Sequence, residues 1–290
     1  MKTVAIVGLG LIGGSLGLAL KEHLPEVEVL GVARRSGTAE AAMTMGAVDR
    51  AGTDLALVSG ADLVVLACPL AATATVLEDC LPHLAMGARV TDVGSVKAAV
   101  VKHALSALDP DRNPFLGGHP MAGKEVSGIA HADAALFKGK PWILTPPQGE
   151  ELRDGWVEYT AALRAIGALP LLLPPGKHDR YVAMISHLPF LLSAAYLLAT
   201  AEEEEWGEAS ALASSGFRDI SRLGAGDPAM YTAIAGFNRD EVLRSWGSLH
   251  RALDMFEAAM ARGEEAALLE LFRSAQGVRN AWASEHPEPT

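Results

Sequence analysis

The stretch that most constrains the fold is TVAIVGLGLIGGS, residues 3–15. A short apolar, β-branched run ends in a glycine, and Gly8, Gly10 and Gly13 then fall at the G-x-G-x-x-G spacing, directly before the helically periodic SLGLALKEHL. A glycine-rich turn alone can be no more than tight packing. Between a strand and a helix it gains a purpose: the first glycine makes the turn and the second lets a pyrophosphate approach the backbone. The helix N-terminus, opened by Leu11 and Ile12, adds aligned N–H groups. Gly8, Gly10, Leu11, Ile12 and Gly13 are therefore candidate dinucleotide contacts.

Further strand-like runs follow at 27–32 (VEVLGV), 62–68 (DLVVLAC), 89–93 (RVTDV), 115–118 (FLGG), 141–146 (PWILTP) and 168–174 (ALPLLLP), with helical stretches between most of them. Such alternation predicts an α/β fold, a Rossmann-like, doubly wound, mainly parallel sheet covered on both faces. The pattern stops at Pro174 and Pro175. Beyond them only 3.6-residue periodicity remains, so the expected division is 1–174 for the dinucleotide-binding domain and 175–290 for an all-helical second domain. Within the helical half, Pro189 should deprive the Ile185 carbonyl of its partner, bend the helix and open space beside His187. The acidic AEEEEWGE (201–208) is most simply a solvated face.

The 290 residues are half hydrophobic, enough for one large or two medium domains with a real core. Cys68 and Cys80 are the two cysteines, so neither a disulfide framework nor a metal site is expected, and a reducing cytoplasm fits. The opening residues carry no signal peptide pattern, and no fused or separate regulatory domain is expected after the helices. The apolar run at 181–199, broken by Ser186, His187, Pro189 and Ser193, is expected to be a buried helix and not a membrane span. A net charge of −11 argues against nucleic acid or an anionic membrane as partner. An anionic substrate would need a local basic cluster.

Cofactor choice in such a fold is made at the end of the second strand, where an acidic residue would take the ribose hydroxyls of NAD. Here the text is LGVARRSG. With no acidic residue at 32–36, Arg34, Arg35 and Ser36 can hold a 2′-phosphate, which favours NADP over NAD, the alternative being two surface arginines. Ligands in these sheets lie beyond the carboxyl ends of strands, which places Cys68 and Pro69, then Asp92, Ser95 and Lys97, at the site. Ser95 as a helix N-cap is the plain alternative. His119, in GGHPMAG, follows its strand in the same way without any periodicity to explain it, and Gly123 closes that loop. In the helical half SSGFRDISRLG sets Arg218 and Arg222 at i, i+4, a repulsive pair unless an anion or Asp219 compensates. That is a candidate carboxylate site; a solvated charged helix is its rival.

Taken together, VAIVGLGLIGGSL, TDVGSVK, GGHPMAG, HDRYVAMISHLP and SSGFRDISR resemble the prephenate/arogenate dehydrogenase family, in the family's order and over nearly the whole chain. The resemblance implies oxidative decarboxylation of a cyclohexadienol carboxylate in tyrosine biosynthesis. It makes His119 the base that accepts the hydroxyl proton, with Ser95 hydrogen-bonded to the same group. Arg222 would hold a substrate carboxylate, with Arg218, His187, Gly123 and Tyr231 at the pocket, and the helical domain would form a homodimer. Two departures matter. Phe190 stands where many prephenate-using members have a second histidine, and Tyr231 stands where many have tryptophan. With Arg34 and Arg35 the balance favours arogenate with NADP, prephenate with NAD being the alternative. A 3-hydroxyacid dehydrogenase is a more distant rival that resembles a scheme with a lysine base on the helical domain, where Lys177 is the one lysine after residue 150. A dinucleotide sensor without turnover would leave His119, Ser95 and the arginines without a shared purpose.

Overall fold

A computed structural model describes residues 1–124, 126–147, 152 and 154–286. It separates into two compact units, Met1–Glu241 and Val242–Thr290.

The first unit is built on a single sheet of eight strands: β1 (Thr3–Val7), β2 (Glu28–Val32), β3 (Arg50–Gly52), β4 (Leu63–Leu66), β5 (Arg89–Asp92), β6 (Phe115–Pro120), β7 (Pro141–Thr145) and β8 (Leu169–Leu172). Their order across the sheet is β3-β2-β1-β4-β5-β6-β7-β8. All neighbours are parallel except β6 and β7, which run antiparallel. Parallel strands covered on both faces must be apolar throughout. Val4, Ala5 and Ile6 of β1 and Val64 and Val65 of β4 are fully buried accordingly. The helices α1 (Leu11–His23), α2 (Ser36–Thr44), α3 (Thr73–Cys80), α4 (Ala98–Ala107) and α5 (Val157–Ala165) cover this sheet. One core layer joins Val4, Ile6, Leu16, Leu63 and Trp142 with Leu163; the other joins Val7, Leu30, Val64 and Leu77 with Phe115.

The strand order reverses between β1 and β4, and there the glycine turn does what its spacing predicts. Gly8 has φ +109°, and a Cβ on it would lie 2.5 Å from the carbonyl carbon and oxygen of Ala67 beyond β4. A Cβ on Gly13 would sit 1.9 Å from the Gly8 carbonyl oxygen, whereas one on Gly10 meets nothing within 4 Å. The first and third glycines are packed shut and the second faces open space, the cradle a pyrophosphate needs.

After β8 the first unit continues with helices only: α6 (Pro175–Val182), α7 (Leu188–Ala201), the short α8 (Trp206–Ala209), α9 (Ser215–Ser221) and α10 (Pro228–Phe237). The second unit is the remainder of α11 (Arg239–Ala261) followed by α12 (Glu265–Glu285), turning at Gly263 with φ +64°. Phe256 packs on Phe272 there, at 5.2 Å between ring centres. Leu253, Met255, Leu269, Phe272 and Trp282 nevertheless stay exposed in the single chain.

Four expectations need correction. The edge strand β3 is not among the expected strands, because its Arg-Ala-Gly carries no apolar run and pairs only through backbone at the sheet margin. His119 is not in a free loop: antiparallel pairing with β7 carries β6 through Pro120, with His119 opposite Ile143. The apolar run around 181–199 is not a buried helix in one chain. The helical stretch Pro175–Ala201 has the length and hydropathy of a membrane span, but only 28% of its apolar 18-residue window is buried, with Met184, Ile185 and Leu198 outward. No exposed space opens beside His187. The backbone widens into a π-helical turn over Ala183–His187, directly before Leu188 and Pro189. His187 is 1% exposed.

The glycine geometry gives a paired expectation. Gly13→Ala forces the turn off the helix and should cost about 1–3 kcal/mol, as overpacked sites do, whereas Gly10→Ala should leave stability unchanged and weaken dinucleotide binding. Urea denaturation and cofactor titration on both variants check this; equal stability of the two would contradict it.

Candidate functional site

The carboxyl ends of β1, β2, β4, β5 and β6 converge on one edge of the sheet. At the first, α1 begins at Gly10 with no side-chain cap and no acidic residue in its first turn. Its leading N–H groups, from Leu11 and Ile12 onward, are available to an anion. At the end of β2, Arg34, Arg35 and Ser36 are exposed, and Ser36 opens α2, again without a side-chain cap. Beyond β4, the Cys68 thiol lies 3.8 Å from the Thr73 hydroxyl, and burial pushes its pKa up, so it stays a thiol. Pro69 leads the turn into α3. These residues fit a nicotinamide dinucleotide laid across the glycine turn.

At the end of β5 the chain makes its most costly arrangement. Asp92 and Lys97 are both fully buried and joined as an ion pair. The Lys97 ammonium also donates to the Gly118 carbonyl at 2.7 Å, while Asp92 accepts from Gly94 N at 2.9 Å and Gly118 N at 3.2 Å. Burial pushes the Lys97 pKa down, opposed by the Asp92 carboxylate. A buried pair of this kind is tolerable only because its remaining hydrogen-bonding capacity is used. Its effect is to lock β6 at Gly118, one residue before His119. Asp92, expected at the cofactor, thus spends its carboxylate on positioning.

Ser95 lies between the two partners. It does not cap α4; the N-cap position is Lys97, without a side-chain cap of its own. The cap comes from 82 residues away, where Asp179 of α6 accepts from Lys97 N at 2.7 Å and from Ala98 N at 2.8 Å. The Ser95 hydroxyl, half-buried, makes no side-chain hydrogen bond among the described residues.

His119 Nδ1 is 2.8 Å from His178 Nε2, and His178 Nδ1 is 2.7 Å from Asp179 Oδ1. Burial first, then the neighbouring His178, Lys97 and His187, hold His119 well below the ordinary histidine value. It is therefore a neutral imidazole at neutral pH, able to accept a proton. His187 is held by Asn238, whose amide nitrogen is 3.1 Å from His187 Nδ1 and 2.8 Å from the Asp179 carbonyl oxygen. Burial pushes His187 down to about 4. Its Nε2 has no partner among the described residues.

Phe190 is buried and stacks on Tyr231 with ring centres 3.9 Å apart and 2° between planes. The Tyr231 hydroxyl donates to the Leu223 carbonyl at 2.8 Å, so the ring braces the turn that starts at Arg222. Val96, Phe190 and Ile234 pack beneath, joining the Ser95 loop to α7 and α10. Arg218 on α9 and Gly123 beyond β6 are exposed, and Arg222 follows directly after α9. No group of three His, Cys, Asp or Glu residues among the described residues forms a metal site.

A family model for the nucleotide-binding domain of prephenate dehydrogenase matches residues 16–165, and one for its dimerization domain matches 174–274. The chain belongs to the prephenate dehydrogenase family. Prephenate dehydrogenase of Bacillus subtilis is 33% identical over 282 residues, which cover 96% of this chain and 75% of that protein. The crystal structure of Synechocystis arogenate dehydrogenase is 36% identical with a TM-score of 0.83, over 97% of this chain and 99% of that one. The structure of prephenate dehydrogenase from A. aeolicus in complex with hydroxyphenyl propionate and NAD+ is 26% identical with a TM-score of 0.90, over 97% and 98% of the two chains. Membership makes the chain an oxidoreductase with an N-terminal nucleotide-binding domain and a C-terminal helical dimerisation domain.

Sequence patterns alone do not reveal the parts played by His178, Asp179, Lys97 and Asn238. The His-Asp pair at the start of a helix after two prolines was the available signal for the first two. Nothing local marks Asn238, which works through contacts 51 and 59 residues distant.

The depressed His187 predicts acid sensitivity. The unfolded chain takes a proton there near pH 6.5 and the folded chain only near 4, so stability is full above 6.5 and falls as pH drops toward 4, by roughly 3 kcal/mol at about 1.36 kcal/mol per unit. His187→Gln should lose less stability between pH 7.5 and 4.5 than the parent, read from urea midpoints. Equal losses would clear His187 of that role.

Proposed function

We propose that the protein oxidatively decarboxylates a cyclohexadienol carboxylate with a nicotinamide dinucleotide, forming the aromatic ring of the tyrosine skeleton, and that arogenate with NADP is its preferred pairing. The observation that carries the reaction is the neutral, half-buried His119 at the carboxyl edge of the sheet, with the Ser95 hydroxyl, unpartnered among the described residues, on the neighbouring loop.

The dinucleotide supplies a hydride acceptor. Gly8, Gly10, Leu11, Ile12 and Gly13 shape its pyrophosphate cradle, with Cys68, Pro69 and the Asp92 backbone along the floor. Arg34, Arg35 and Ser36 meet the 2′-phosphate, and the lack of an acidic residue at 32–36 supports NADP. As the hydride leaves ring C4, His119 takes the hydroxyl proton and Ser95 holds that oxygen. Breaking the bond from C1 to its carboxylate releases CO2, and the electron pair left behind aromatises the ring. The phenolate oxygen so formed is then reprotonated. Arg222, with Arg218, draws the substrate carboxylate into an otherwise acidic protein, and Gly123, His187 and Tyr231 complete the pocket. The bare Nε2 side of His187 supports a donor there.

Phe190 carries the preference for arogenate. It presents a stacked apolar ring and offers no hydrogen bond to the keto oxygen that prephenate carries where arogenate has an amino group. A 3-hydroxyacid dehydrogenase is disfavoured because Lys177 is exposed and lies 5.8 Å over the Tyr181 ring. We place the functional division at 174/175 and the protein in the reducing cytoplasm, with two free thiols. Its partner is a second copy, covering the apolar side chains left outward on α7, α11 and α12.

Steady-state reduction of NADP and NAD with arogenate and with prephenate tests this directly. Arogenate with NADP should give the highest kcat/KM; preference for prephenate with NAD would remove both specificity arguments, and no turnover in any pairing would remove the reaction. In the same assay Arg34→Ala and Arg35→Ala together should raise the KM for NADP by roughly tenfold or more, as loss of charge-assisted phosphate bonds does, with little change for NAD. An unchanged ratio would leave the arginines as surface residues.

A further inference from the structure

We propose that His178 and Asp179 are positioning residues that hold His119 in a single tautomer, with hydrogen on Nδ1 and the lone pair of Nε2 turned to the substrate. The inference rests on the reading of His119 as the base. Asp179, His178 and His119 form an unbroken line, 2.7 Å and then 2.8 Å between nitrogen or oxygen atoms. The direction of each bond follows from what each group can do. The Asp179 carboxylate accepts only, and it already takes the N–H groups of Lys97 and Ala98. The hydrogen between it and His178 therefore sits on His178 Nδ1. In the proposed arrangement the one N–H of a neutral His178 ring is spent on Asp179, so His178 Nε2 is an acceptor and the hydrogen between the rings belongs to His119 Nδ1. His119 Nε2 is then unprotonated.

The line also serves the protonated state. When Nε2 takes the substrate proton, the Nδ1–H bond to His178 strengthens and Asp179 meets the new charge through one ring. The charged and titratable groups around His119 are His178 and Asp179 from α6, Lys97 with Asp92 from the β5–α4 segment, and His187 from the π turn. Burial, His178, Lys97 and His187 all oppose a charge on His119, and the Nδ1–H bond to His178 offsets part of that cost. Both rings are fixed: His178 is fully buried, and the rings meet edge-on at 74°.

Nitrogen NMR of the full-length, histidine-labelled protein with NADP bound reads the tautomer without turnover. Wild type should show His119 protonated at Nδ1 and bare at Nε2, and a proton on His119 Nε2 at neutral pH would overturn the proposal. His178→Leu should let the Nε2–H form in, lower kcat by roughly 10–100-fold, and leave substrate KM and cofactor affinity within about twofold, as loss of a base's orienting partner does. His178→Gln, whose amide oxygen reaches the Nε2 position, should recover much of the loss. Wild-type kcat in the Leu variant, or a Gln variant as slow as Leu, would overturn the positioning role. Failure of the parent reading looks different: His119→Asn would keep its turnover.

Discussion

The Asp179 carboxylate is the contact on which the active edge depends. It lies on the first helix after the sheet yet supplies the N-terminal cap of α4, accepting from Lys97 N and Ala98 N, and it accepts from His178 as well. A carboxylate at a helix N-terminus is favoured by the helix dipole, and a buried one is stable only when its lone pairs are used. Three donors meet that demand. Because the same group touches the Ser95–Lys97 loop and the His178 ring, the position of α6 sets the geometry of both Ser95 and His119. Removing it would leave Lys97 and His178 short of a partner in a dry place, a loss of the several kcal/mol kind and not of the surface kind.

Asp92 and Lys97 do for β6 what Asp179 does for α4. Their ion pair reaches both the N–H and the carbonyl of Gly118, and Gly118 must be glycine, since a Cβ there would lie 2.5 Å from the Asp92 carbonyl oxygen. The strand therefore runs flush against β5 up to the residue before the base. Two charges with no exposure are expensive, and their retention makes sense where the register of one residue decides the chemistry.

How much of this was legible in the sequence follows from the range of each interaction. The strand–turn–helix opening, six of the strands and the switch to helices after Pro174 are local patterns, and they stand. Gly8, Gly10 and Gly13 are legible from spacing alone, and the closed turn at Gly8 and the open space at Gly10 match the reasons given for those two. The three-residue β3 lacks a hydrophobic signature. The strand carrying His119 extends past its apolar run because its last two residues owe their conformation to β7, some 20 residues on. The fate of the Pro189 carbonyl gap depends on a π turn that no propensity encodes. Long-range polar contacts were the hardest. Asp179 looks like one charge in an amphipathic helix, and its partners at 97 and 98 appear only when the chain is folded.

The exposed apolar surface carries the same lesson toward assembly. Hydropathy along 175–201 suggests an interior helix, and in one chain much of it faces outward, as do the large side chains of α11 and α12. A two-helix unit in which Val242 and Ala259 are the buried positions has too little interior to stand alone. Apolar faces of this size on a monomer mark an interaction surface. The buried site lies on elements of the first unit, yet the helix that ends in His187 and Phe190 continues directly into the uncovered face of α7. Whatever covers that face constrains α7, and through Phe190, Val96 and Ile234 it also constrains the loop that presents Ser95. Assembly and the rigidity of the active edge are thus carried by the same helix.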